Sequence, residues 1–141
     1  MGILSRREHS RIELRTKLLA KEFSVEQVDN ALDVLAHEGL QNDQRFAESY
    51  IRFRSRRGFG LRRLLQELEQ RGVSASIANQ AVAGSDVDFY QVAEAACKKK
   101  FSRKAATILE KSKQVRFMQY RGFYNEEVNQ AINMLSDDEN I

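Results

Sequence analysis

The sequence predicts an all-α protein, and three observations predict it. Proline is absent, and glycine occurs only seven times in 141 residues. No stretch alternates with the period of a strand, and no Asn-Gly or Asp-Gly pair offers a hairpin turn. Apolar residues recur instead at helical spacing, as in Val25, Val28, Leu32 and Leu35. Ser10 with Glu13 forms a capping box that opens a helix near 10–21, and Ser24 with Gln27 opens the next, near 25–38. Gly39 closes that second helix. A third, near 43–57, lines Phe46, Tyr50 and Phe53 along one packed face and Arg45, Arg52 and Arg56 along another, so cations are presented without being buried. Gly58-Phe59-Gly60 turns the chain into a fourth helix near 61–71, which Gly72 ends. Ser74 caps a fifth, near 75–83. The last three are placed near 87–100, 103–121 and 125–136, with Gly122 between the final pair.

A repeat runs through these elements. KEFSVEQVDNAL (21–32), RGVSASIANQAV (71–82) and RGFYNEEVNQAI (121–132) align at fifty-residue spacing, with Leu18, Leu68 and Met118 at one upstream offset. The expected architecture is an elongated, curved array of tandem three-helix, helix-turn-helix-like repeats of about eight helices. Its divisions are 1–39, 40–84 and 85–141, with the opening helix of the first repeat missing or represented by residues 3–8.

Composition narrows the function. No apolar run approaches a membrane span, the N-terminus has no signal-peptide core, and Cys97 is the single cysteine, so a cytoplasmic protein is expected. His9 and His37 lack metal-ligand spacing, and there is no Walker-type loop or catalytic carboxylate cluster. A non-enzyme without cofactor or small-molecule substrate is expected. Charge is unevenly spread. Residues 45–74 hold eight arginines against three glutamates, and 98–104 hold five cations, whereas 22–44 hold six acids and no Lys or Arg.

The sequence resembles the bacterial RecX family. The resemblance rests on Asp43-Gln44-Arg45-Phe46-Ala47, Tyr50, Arg54-Ser55-Arg56-Arg57-Gly58-Phe59-Gly60, Arg63, Gln66-Glu67-Leu68 and Arg71-Gly72-Val73-Ser74. Glu8-His9-Ser10 near the start, and Arg116-Phe117 with Tyr120-Arg121-Gly122-Phe123 near the end, extend it collinearly. Where the family commonly has proline, Leu61 stands. The resemblance implies a modulator of the RecA recombinase. Such a protein binds in the groove of the RecA–single-stranded DNA filament and limits filament growth, ATPase, strand exchange and coprotease activity.

Each candidate feature has a functional and a plain reading. Arg45, Arg52, Arg54, Arg56, Arg57, Arg62 and Arg63 meet RecA or DNA phosphate, or form a solvated face. Lys98, Lys99, Lys100, Arg103 and Lys104 meet phosphate, or complement a helix dipole. Glu22, Glu26, Asp29 and Asp33 form an acidic stripe, read as solvated. Cys97 is a core thiol, or a thiol activated by its lysines. Phe59 is the aromatic least expected in the core. Phe46, Tyr50, Gly58, Gly60, Leu68, Gly72, Ser74 and Gly122 are structural. The competing function is an autonomous, weak and nonspecific DNA binder using its helix-turn-helix-like pairs. The helix after Ser74 counts against it, for it carries no Lys or Arg to engage phosphate.

Overall fold

The computed structural model describes residues 7–137. Among these residues run eight α-helices and no strand. They are α1 (Arg11–Leu19), α2 (Val25–His37), α3 (Asp43–Arg56), α4 (Leu61–Gln70), α5 (Ala75–Ala83), α6 (Phe89–Lys100), α7 (Ile108–Tyr120) and α8 (Asn125–Asn133). They fall into two compact units. Unit 1 comprises Met1–Ile51 and Glu67–Ser85; unit 2 comprises Arg52–Gln66 and Asp86–Ile141. Charge follows this division: unit 2 holds fifteen cations against nine acids, unit 1 eight against eleven.

In unit 1, α1 packs on α2 through Leu14, Val28 and Leu32, with Leu18, Leu19 and Leu35 around them. Both expected capping boxes are present, at Ser10/Glu13 and Ser24/Gln27. The Ser10 hydroxyl accepts from Glu13 N–H at 3.1 Å and donates to Arg71 O at 2.7 Å, so one buried side chain ties the start of α1 to the end of α4. Asp43 Oδ1 accepts from Arg11 N–H at 2.8 Å and from Gln41 Nε2 at 2.9 Å. Tyr50 donates to Glu67 Oε1 at 2.7 Å beneath the Arg71 guanidinium. Half of the acidic stripe is engaged, because Asp29 pairs with Arg15 and Asp33 with Arg11 across the α1–α2 pair. Gly72 sits at φ +82° with Ile12 against it.

In unit 2, α6, α7 and α8 enclose Ala93, Cys97, Met118, Phe123, Val128, Ala131, Ile132 and Leu135. Cys97 is buried among them and its thiol is pushed up by that burial, which overturns activation by the neighbouring lysines. Ser74 caps α5 as expected, accepting from Ile77 N–H at 3.2 Å.

Three expectations need correction. The helix placed at 103–121 begins at Ile108, where Thr107 caps Glu110 N–H. Residues 101–107 lie outside the helices, because Ser136 O accepts from Lys104 N–H at 2.8 Å and Gln114 Nε2 donates to Arg103 O at 3.1 Å. Those long-range bonds have no local signature in the sequence. Phe53 is 54% exposed and does not pack with Phe46 and Tyr50; Ala47 and Ile51 are buried in this stretch of α3. Of the segment 3–8, residues 3–6 lie outside the described residues, and Arg7 and Glu8 are not helical.

Candidate partner-binding surface

The surface is built on a meeting of helix ends within unit 2. Gly58, at φ +88°, turns the chain back toward α4. Gly60 N–H donates to Arg121 O at 2.8 Å and Arg62 N–H to Gly122 O at 3.1 Å. The first amides of a helix and its last carbonyls are the groups left unpaired by the helical ladder. Here the amides of Gly60 and Arg62, at the start of α4, are satisfied by the two carbonyls just past the end of α7. The approach is close enough that a Cβ on Gly60 would lie 2.5 Å from the Gly122 carbonyl carbon.

Arginines consolidate the junction. Arg62 Nη2 donates to Gln119 O, and Arg63 Nη1 donates to Tyr120 O at 3.2 Å. Arg121 Nη1 donates to Arg57 O at 3.1 Å. Phe59, half-buried, carries three guanidinium groups near its ring: Arg54 at 3.9 Å, Arg63 at 4.7 Å and Arg121 at 4.7 Å from the centroid. Arg121 also lies 5.3 Å from Phe117, and Arg57 lies 4.8 Å from the exposed Phe53 ring. The aromatic rings help hold these half-buried guanidinium groups in place.

The other expected cations divide by role. Arg52 and Arg56 project into solvent from the end of α3. Arg45, in unit 1, is held by Glu8 Oε2 at 2.7 Å and Gly39 O at 3.0 Å. Lys98 pairs with Glu94 at 3.1 Å and Lys104 with Asp137 at 3.3 Å. Lys99 and Arg103 are exposed, and Lys100 lies 5.4 Å from the Phe117 centroid.

Four cations missed by the sequence reading belong to the same unit: Lys111, Lys113, Arg116 and Arg121. Segments 52–66 and 111–121 together carry ten cations and no acid. The absence of acids from both was the available signal; only the folded chain brings the two together, through Gly60 and Gly122. Such a concentration of positive charge attracts anions. Among the described residues, no group of His, Cys, Asp and Glu could hold a metal, and no helix is long and apolar enough to cross a membrane.

Three family models match in chain order: RecX, first three-helix domain, over residues 1–35; second three-helix domain, over 42–82; and third three-helix domain, over 86–132. A curated relative from Haemophilus influenzae, "Regulatory protein RecX", is 39% identical over 130 residues, which is 90% of this chain and 86% of the relative. The chain belongs to the RecX family. Another RecX regulatory protein, from Ectopseudomonas mendocina, is 38% identical over 124 residues, 87% of this chain and 83% of its own. The crystal structure of RecX from Lactobacillus salivarius superposes with a TM-score of 0.77 at 21% identity, covering 94% of this chain and 88% of that one. A second RecX crystal structure superposes at 0.78 and 22% identity, covering 92% of this chain and 66% of that one. These two share the fold. The names of the relatives describe regulation and not catalysis.

Proposed function

We propose that this RecX-family protein regulates the RecA recombinase, mainly as an inhibitor. It binds in the groove of the RecA–DNA filament and limits filament growth, ATPase, strand exchange and coprotease activity in recombination and the SOS response. The observation that carries the reading is the pair of cationic segments of unit 2, 52–66 and 111–121, which hold no acid and meet through Gly60 and Gly122, in a chain whose relatives are regulatory proteins. A filament of protein and single-stranded DNA offers both carboxylates and phosphates to such a surface. Arginine suits both, because its planar fork can bond either group in bidentate fashion. Arg52 and Arg56, projecting from α3, are the proposed leading contacts. Lys99 and Arg103 would add sequence-blind phosphate attraction.

The test is the single-stranded-DNA-dependent ATPase of RecA, titrated with this protein at fixed salt beside an Arg52→Glu/Arg56→Glu variant. Inhibition at protein concentrations well below that of RecA, weakened in the variant, is the expected result. Absence of inhibition, together with salt-sensitive binding to DNA alone, would replace the proposal with the autonomous DNA-binder.

A further inference from the structure

We propose that the outward face of α7 is a docking surface for an acidic protein segment with two apolar anchors about 16 Å apart. This deepens the proposed function, and the identity of the partner rests on it.

Gln114 and Met118 face the interior, with Val115 and Phe117 partly covered beside them. By helical geometry the opposite side is formed by Leu109, Lys113, Arg116 and Tyr120, at i, i+4, i+7 and i+11, while Ile108 flanks Leu109 about 100° round the first turn, on the Val115 side. Ile108 is 88% exposed, Leu109 75% and Tyr120 72%, the three highest values among the large apolar residues described. One face of a thirteen-residue helix therefore shows a leucine at one end and an aromatic ring at the other, with Ile108 flanking the leucine. At a rise of 1.5 Å per residue, Leu109 and Tyr120 lie about 16 Å apart. Cations stand between the two ends, and shallow grooves of about 450 and 610 Å³ share Arg116 and Gln119 in their walls.

Charge selects the occupant. From residue 111 to residue 121 the helix contributes four cations and no acid, and Lys111, Lys113 and Arg116 enter no ion pair among the described residues. Glu110, the acid at the start of the helix, turns back to accept from Ala106 N–H at 2.8 Å. The complement is therefore a carboxylate-bearing segment. The aliphatic pair separates a protein from a nucleic acid. Bases stack on aromatic rings, whereas Ile108 and Leu109 offer branched aliphatic surface of the kind that protein side chains cover.

Two variants test this in the same RecA ATPase titration. Ile108→Ser/Leu109→Ser removes the aliphatic anchor, and Arg116→Glu inverts the central charge. None of these side chains supports the core, and a denaturation midpoint for each variant verifies that it is folded. Each variant is expected to raise the half-inhibitory concentration about tenfold or more, as loss of an interface hot spot does. Weakening by Arg116→Glu with no effect of the serine pair would mean that the face meets phosphate, and would overturn the proposal. No effect of either, while Arg52→Glu/Arg56→Glu still weakens inhibition, would overturn this docking surface and leave the proposed function standing. Wild-type protein that does not inhibit at all would remove both.

Discussion

Glu22 sits at φ +73°, in the left-handed region where the other two repeats have Gly72 and Gly122. A side chain there costs roughly 1–2 kcal/mol in crowding of Cβ against the carbonyl oxygen. Glu22→Gly is expected to stabilise the fold by about 0.5–1 kcal/mol after glycine's entropic cost is subtracted; urea denaturation at pH 7 measures it. The fifty-residue alignment made this position readable, since Glu22 stands opposite two glycines. His9 was not readable in the same way. It is buried, its Nδ1 lies 3.0 Å from Arg7 O, and its Nε2 lies 3.0 Å from Lys17 Nζ. Lys17 can only donate, so Nε2 accepts and Nδ1–H donates to Arg7 O. Burial first, then the charges of Arg7 and Lys17, lower its pKa from the ordinary 6.5. The neutral ring is what the fold holds. Stability is therefore fully present above the unfolded value and declines as pH falls through about 6.5, where the unfolded chain takes the proton first. His9→Gln should flatten the dependence of denaturation midpoint on pH between about 5 and 7. An unchanged slope would mean that the buried ring does not couple to folding.

The helices were legible where their signals are local and illegible where they are not. Ser10, Ser24 and Ser74 each cap a helix as their spacing foretold. Ser10 does more than a cap requires, since its hydroxyl also donates to Arg71 O, sixty-one residues away in sequence. Ser10→Ala removes the cap and leaves the Arg71 carbonyl without that donor. A loss of about 2 kcal/mol is expected, greater than an exposed cap gives, with chemical denaturation as the measure. The third repeat has Tyr124 where the first two have serine, and only the return bond is made, from Tyr124 N–H to Glu127 Oε1 at 2.9 Å. Glu127 is buried, and that burial, with Asp88 and Glu126 nearby, raises its pKa above the ordinary 4.5 against the opposing effect of the Tyr124 bond. For a carboxyl with a raised folded value, stability falls as pH climbs from the unfolded value to the folded one. Glu127→Gln keeps an oxygen to accept from Tyr124 and discards the charge. It should be more stable than the wild type at pH 7 and no longer so below about pH 4. The start of α7 was misread for a physical reason. Residues 101–107 contain neither glycine nor proline and have good helix formers, yet bonds from Lys104 to Ser136 and from Gln114 to Arg103 hold the backbone elsewhere.

Across the whole molecule, the alternation of charge along the chain was visible in the sequence, but its sorting was not. A basic unit and an acidic unit emerge only when Arg52–Gln66 is grouped with α6, α7 and α8. Arginines expected as one surface therefore have different work. Arg62 and Arg63 close the end of α7, Arg45 is held within unit 1, and Arg52 and Arg56 remain exposed. The exposed apolar face of α7 escaped notice because apolar residues occupy both sides of that helix, which blurs its period. The junction of Gly60 with Gly122 constrains heredity as well as structure. A side chain on Gly60 would strike the backbone of Gly122 and Phe123, and no second-site change of residue type can trim a backbone. A side chain on Gly72 would strike the side chain of Ile12, its Cβ included at 2.6 Å, and would be strained at φ +82° besides. In a genetic selection, Gly60→Ala should yield only restoration of glycine at 60, whereas Gly72→Ala should admit one second-site relief besides restoration, Ile12→Gly, and that only in part because the strain at φ +82° stays.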